Sequence, residues 1–152
     1  MAKEQNKSIA KNSKAFHDYF VEDRFEAGIE LFGTEVKSIR LGNVNLKDSF
    51  CTIKDGQLTL NGMHVSPYEK GNIFNKEPRR PRRLLMHKRE ILRLHAKIMQ
   101  DGYTLIPLNL YFNGPRVKVE IGLCKGKKLY DKRETDARRD AKREIDRAMK
   151  LR

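Results

Sequence analysis

What the sequence lacks narrows the field first. No apolar run approaches the roughly 18 residues of a membrane span, and the polar, lysine-rich opening from Met1 to Lys14 has no apolar stretch of the kind a secretory signal needs. The expected address is the cytoplasm, with no membrane partner. Cysteine is scarce: Cys51 and Cys124 each stand in a strand-like run with no CxxC pair, which argues against a disulfide framework and for small buried thiols in a reducing compartment. His17, His64, His87 and His95 lie far apart without HxxxH or HExxH spacing, and His95 falls on the apolar stripe of a helix, where an imidazole is a core group before it is a ligand. No phosphate-cradling glycine loop, dinucleotide signature or activated nucleophile is present. Glu26, Glu30, Glu35 and Asp48 could gather as a nuclease-type carboxylate cluster, yet Glu26 and Glu30 are also what any solvated strand face shows. The chain therefore reads as a non-enzyme that needs no cofactor and no metal.

What it has in excess is positive charge. Lys and Arg number 33 against 20 acidic residues in a chain of 152, a net +13. The surplus is not spread evenly. Residues 1–15 carry +3, 16–75 carry −3, 76–97 carry +7, 98–124 carry 0 and 125–152 carry +6. Three basic clusters flanking a neutral to acidic body suggest arms reaching for phosphates, so a nucleic acid is the expected partner. The bland alternative for each cluster is solvated surface charge.

Residues 1–14 show no periodicity and read as a flexible basic arm. Ala15 to Val21 reads as a strand-like run, and Phe25, Ala27, Ile29 and Leu31 alternate with Glu26, Gly28 and Glu30 as a second strand with two carboxylates on its outer face. Residues 34–41 read as a short helix, with Thr34 as cap, Val36, Ile39 and Leu41 inward, Lys37 and Arg40 sharing the outer face, and Gly42 as stop. Phe50–Ile53 and Leu58–Val65 form a hairpin across Asp55-Gly56. From Ser66 to Arg83, three prolines and four arginines predict an extended loop with its cations in solvent. A helix is predicted over 87–100, extending as far back as Leu84, with Leu84, Ile91, Leu92, His95, Ile98 and Met99 as its stripe. Tyr103–Phe112 and Arg116–Cys124 make a hairpin across Asn113-Gly114, with a bulge or edge position at Pro107. Six antiparallel strand runs with peripheral helices predict a mainly β fold, a closed OB-fold-like barrel over residues 15–124.

From residue 125 the composition changes. The basic run Lys125-Gly126-Lys127-Lys128 leads into a tail, 125–152, whose apolar positions from Glu134 to Arg152, namely Ala137, Ala141, Ile145, Ala148, Met149 and Leu151, form one thin stripe. Such a stripe buries little area against an ordering cost of roughly 1–2 kcal/mol per residue, so the tail is expected to become helical when bound to a partner. A helix over 134–152 would span about 28 Å and display Arg138, Arg139, Lys142, Arg143 and Arg147.

Four blocks in one order carry a resemblance: Phe25-Glu26-Ala27-Gly28, Gly33 to Arg40, Arg83 to Glu90, and Lys125-Gly126-Lys127-Lys128 followed by Asp131-Lys132-Arg133. Together, from about Ser8 to Arg152, they resemble the small protein B family, the SsrA-binding proteins of bacterial trans-translation. The resemblance implies an OB-type barrel that binds the tRNA-like domain of transfer-messenger RNA and delivers it to stalled ribosomes, where the tail probes the empty mRNA channel. It places RNA contacts at Asn12, Glu26, Leu85 and His87; on their charge, Lys37, Arg40 and Arg83 are further RNA-binding candidates. It assigns the tail contacts with ribosomal RNA to Lys125, Gly126, Lys127, Lys128, Tyr130, Asp131, Lys132 and Arg133. His87 departs from family members with Asn there, and Tyr130 stands where His is common, keeping a ring that can stack on a base. Implied partners are transfer-messenger RNA, the ribosome and its rRNA, and elongation factor Tu indirectly through the alanylated RNA, with the protein itself a monomer. An OB-type factor that binds rRNA or tRNA without that specific partner is the alternative.

Overall fold

Strand-period segments that are individually half apolar can bury that half only by closing on one another, and here they do. The computed structural model describes residues 6–70, 75–127, 133 and 136–143. In chain order its elements are β1 (Asn6–Lys11), α1 (Ser13–Asp18), β2 (Tyr19–Ile29), α2 (Gly33–Arg40), β3 (Val44–Asn45), β4 (Phe50–Lys54), β5 (Gln57–Asn61), β6 (His64–Val65), β7 (Arg82–Leu85), α3 (Lys88–Asp101), β8 (Thr104–Asn113) and β9 (Arg116–Gly126). Residues 136–143 are also helical. The main sheet is antiparallel and runs β1-β8-β4-β5-β7-β2-β9, and a further pairing of β8 with β9 closes it. The result is the expected barrel. Val117, Val119, Ile121 and Leu123 of β9 point into one core with Leu58 and Leu60 of β5, Leu84 of β7 and Leu105 and Leu110 of β8. Each such buried aliphatic contributes roughly 1.5–3 kcal/mol relative to exposure.

Several expectations give way to tertiary context. The flexible arm over 1–14 is, from Asn6 to Lys11, a strand on β8; its mostly polar sequence hides this because only Ile9 and Ala10 pack on the core and backbone bonds hold the rest. The strand expected from Ala15 is instead α1, started by Asn12, whose side chain accepts from the Ala15 amide, and β2 then runs unbroken from Tyr19. Asn12 supplies the cap that the strand reading overlooked. The stretch Leu58–Val65 is split at Gly62, whose φ of +82° turns the chain so that β6 pairs with β3 rather than continuing β5. Leu84 belongs to strand β7, not to the helix, because it pairs with Ile29 and α3 begins only at Lys88. On α3 the buried pair is Ile91 and Leu94, while Leu92 and Met99 are exposed. Leu41 is likewise exposed, since α2 ends one residue earlier and turns at Gly42.

The remaining readings hold locally. Asp55 and Gly56 both adopt positive φ in the β4–β5 turn, and the register of β8 on β9 shifts between Pro107 and Asn109, the bulge expected there. Cys51 and Cys124 are free and buried. Burial pushes the Cys124 thiol up to about 11 and the Cys51 thiol higher still, so neither is a nucleophile.

Candidate nucleic-acid interface

The outer surface of the sheet is built by the register of three strands. Gly28 pairs with Leu85 on one side and with Lys118 on the other, and Glu26 lies opposite Glu120. Ala27 and Leu84 are buried beneath, so alternation turns Glu26, Glu30, Arg83 and Leu85 outward together. Leu85 is 47% exposed, a large apolar group that the core does not use. Gly28 makes its position possible: a Cβ there would stand 3.3 Å from the Leu85 Cβ. Arg83 lies 3.9 Å from Glu30 with both side chains 55% exposed, a pair too solvated to hold the cation back from a phosphate. His87 sits exposed at the N-cap position of α3 and makes no cap bond, which leaves its ring directed outward.

Glu26 has a fixed orientation that the sequence did not reveal. The Tyr111 hydroxyl donates to Glu26 Oε2. Tyr111 is 8% exposed, and burial, then the bond to Glu26, holds its phenol well above the usual tyrosine range. The two residues come from β2 and β8, two strands apart across β9, so only the register brings them together. A carboxylate held by one oxygen keeps the other for an RNA donor, such as a base amine or a 2′-hydroxyl.

Asn12 behaves differently from the other candidates. It is 5% exposed, its amide donates to the Pro107 carbonyl at 2.9 Å, and its carbonyl caps α1. Its side chain is committed within the protein, and it acts by joining α1 to β8. Lys37 and Arg40 are exposed on α2 as expected. The Lys37 ammonium lies 5.4 Å from the Tyr68 ring and the Arg40 guanidinium 5.8 Å from that of Phe112.

Behind α2 lies a feature missed at the sequence level. Arg82 and Glu35 are both buried, and Glu35 also receives Arg80 and the backbone amide of Phe32. The loop cations expected in solvent are thus partly structural. Phe32, not Thr34, holds the N-cap position, and Glu35 satisfies its amide. Burial works to raise its pKa, but bonds from Arg80 and Phe32 and the charge of Arg82 outweigh it and hold the carboxyl below its ordinary value. Arg82 further donates to the carbonyls of Met63, Arg80 and Pro78, so one guanidinium ties β7, α2 and the preceding loop together.

The tail leaves from the opposite end of β2. Lys125 and Gly126, expected in the tail, still belong to β9, paired with Phe20 and Tyr19. The Lys127 amide then donates to the Asp18 carbonyl at 2.8 Å and its ammonium to the Phe16 carbonyl at 3.1 Å. Asp136 comes back to His17 at 2.9 Å, which anchors the start of the helical segment on α1. Arg133 and residues 136–143 are exposed; Lys128, Tyr130, Asp131 and Lys132 lie outside the described residues. α2 begins just beyond Ile29 and the tail root sits beside Tyr19, so the two stand at opposite ends of the eleven-residue β2. Among the described residues no three His, Cys, Asp or Glu side chains gather as a metal site, and no helix is long and apolar enough to cross a membrane.

Comparison with known proteins finds similar chains. A family model described as SmpB protein matches residues 9–151. An SsrA-binding protein of Carboxydothermus hydrogenoformans is 62% identical over 146 residues, 96% of this chain and 98% of that protein. Another, from Acetivibrio thermocellus, is 59% identical over 150 residues, 99% and 97% of the two chains. A solved structure described as "tmRNA-SmpB: a journey to the center of the bacterial ribosome" superposes with a TM-score of 0.66 at 49% identity, over 78% of this chain and 84% of that one.

Proposed function

The chain belongs to the SmpB family, and from that premise we propose that it binds the tRNA-like domain of transfer-messenger RNA with its barrel and brings that RNA to stalled ribosomes for trans-translation. One observation carries the division of labour: the outward Glu26, Arg83 and Leu85, with His87 just beyond, lie toward the Ile29 end of β2, whereas the cationic tail root at Lys125–Lys127 lies at its Tyr19 end. A ligand gripped at the first leaves the second free for another surface. On the barrel side, Glu26 is the hydrogen-bond acceptor, Leu85 the apolar contact, His87 a polar contact, and Lys37, Arg40 and Arg83 the phosphate partners. Asn12 contributes by positioning α1. On the tail side, Lys125, Lys127, Lys128, Lys132 and Arg133 meet ribosomal RNA near the empty mRNA channel, with Tyr130 as a stacking ring. An occupied channel excludes the tail, and a vacant one admits it.

The protein acts as a monomer in the cytoplasm, performs no catalysis, and meets elongation factor Tu only through the alanylated RNA. Filter binding with competing transfer-messenger RNA, tRNA and rRNA fragments tests the reading. The tRNA-like fragment of transfer-messenger RNA should compete best. Equal competition by rRNA fragments would instead favour a ribosome-associated factor without that partner.

A further inference from the structure

One cleft shares no lining residue with the Glu26–Leu85 surface. It has a volume of about 390 Å³ and is walled by Phe32 and Tyr68, with Lys37, Lys70 and Lys76 at its edges and no carboxylate among the described residues of its lining. That size falls in the range of small-ligand sites. The composition is specific: two rings for a planar apolar group, three ammoniums for an anion.

Phe32 is out of place for any local purpose. It occupies the N-cap position of α2, where Ser, Thr, Asp or Asn would satisfy the helix, and it makes no side-chain cap bond. Glu35 does that work by accepting from the Phe32 amide at 2.9 Å. The ring itself is 48% exposed and adds little to the core. Two cations lie over it, Lys76 at 4.4 Å and Arg80 at 4.7 Å from its centre. Arg80 is fixed by Glu35, with Nε 3.1 Å from Oε2, whereas Lys76 is exposed and can swing aside. Tyr68 is held in place by Asn75, whose amide group donates to the Tyr68 carbonyl at 2.8 Å and accepts from its N–H at 2.9 Å. Ser38 pins α2 to the same loop by donating to the Ser66 carbonyl at 2.7 Å. The walls are preformed.

We propose that this cleft takes one unstacked nucleotide of a bound RNA, its base on Phe32 and Tyr68 and its phosphate among Lys37, Lys70 and Lys76. The proposal rests on the RNA-binding reading above and adds a stacking site to it. A base replaces the Lys76 ammonium on the ring, and the displaced ammonium remains close enough to pair with the phosphate. An acidic peptide would satisfy the lysines but leave both rings exposed; a nucleotide uses both kinds of group.

The test uses the full chain and a single-stranded RNA pentamer carrying one 5-iodouridine. Photocrosslinking should attach the pentamer at Phe32 or Tyr68, read by mass spectrometry. By fluorescence anisotropy, the double change Phe32→Leu and Tyr68→Leu should weaken binding about tenfold or more while leaving the salt slope unchanged, because stacking is lost and no cation is. Leucine keeps apolar bulk, so thermal melting should match wild type and a loss of affinity cannot be assigned to unfolding. Changing Lys37, Lys70 and Lys76 to Ala should instead lower the slope. Affinity within twofold of wild type in the double leucine variant, or crosslinks only elsewhere, overturns the proposal, as does an acidic peptide that displaces the pentamer from wild type but not from the lysine variant. The functional reading is scored separately by wild-type binding to the tRNA-like fragment: its failure alongside normal stacking would sink that reading and leave the cleft standing.

Discussion

Glu35 and Arg82, 47 residues apart in sequence, form a buried ion pair with Nε 2.7 Å from Oε2 and side chains 4% and 1% exposed. Removing one partner strands the other charge in the interior. Glu35→Ala should therefore cost about 3–5 kcal/mol, a large share of the roughly 5–15 kcal/mol that stabilises a domain, and urea denaturation would measure it. Replacing both partners, as Glu35→Ala with Arg82→Met, should recover part of the loss because the most deeply buried cation goes with its carboxylate, leaving only the part-buried Arg80 unpaired. The pH dependence has a definite sign. A carboxyl held below its ordinary value in the fold contributes stability above about pH 4.3, and loses it as pH falls through its lower folded value. The acid limb of stability should flatten in Glu35→Gln.

This pair also marks the limit of what the sequence reveals. The closed barrel, the hairpins at Asp55-Gly56 and Asn113-Gly114 and the bulge after Pro107 were legible because turn chemistry and period-2 alternation are local. The outward Glu26 was legible for the same reason. Arg82 was not, since four arginines among prolines look alike until a partner 47 residues away selects one for burial. Tyr111 escaped notice because its partner depends on the register of three strands. β1 and α1 were misread because a polar strand is fixed by its neighbour's backbone and a six-residue helix by a single cap.

Tyr111 should ionise above the ordinary tyrosine range. Burial and the bond to Glu26 both favour the neutral phenol, so absorbance titration should show one group lagging well above pH 10, and Tyr111→Phe should remove that late step. Because a raised folded value stabilises the protonated form, the associated stability is present below about pH 10 and lost as pH climbs through the higher value. Glu26 is partly solvated, so Tyr111→Phe should cost only about 0.5–1.5 kcal/mol. Its larger effect should fall on RNA affinity, through loss of the fixed Glu26 orientation.

His17 should titrate above its ordinary value. Hydrogen bonds to Asp136 and then Asp18 favour the imidazolium, a raised pKa whose contribution is full below about pH 6.5 and fades as pH rises through the folded value. Proton NMR of the imidazole should show the shift, and Asp136→Asn should bring it back toward the ordinary value. An unchanged titration in that variant would mean that the helical segment at 136–143 does not rest on α1 in solution.

Cutting the chain before Asp131 should separate the two activities. Every contact described for the tail root through Lys127, including its bonds to Asp18 and Phe16, survives such a cut, and so do all of β9 and the outward face of Glu26 and Leu85. Affinity for transfer-messenger RNA should stay near wild type, while peptide tagging on stalled ribosomes should be abolished for lack of the cations beyond residue 130. The reverse pattern is expected from Lys37→Ala or Arg40→Ala, each of which should weaken RNA binding and reduce the salt slope by about one. Since the two regions stand at opposite ends of β2, neither class of variant removes a group that the other's surface uses. Equal loss of RNA binding and tagging in the truncated chain would therefore mean that the barrel alone does not grip the RNA, and the two-ended mechanism would have to be abandoned.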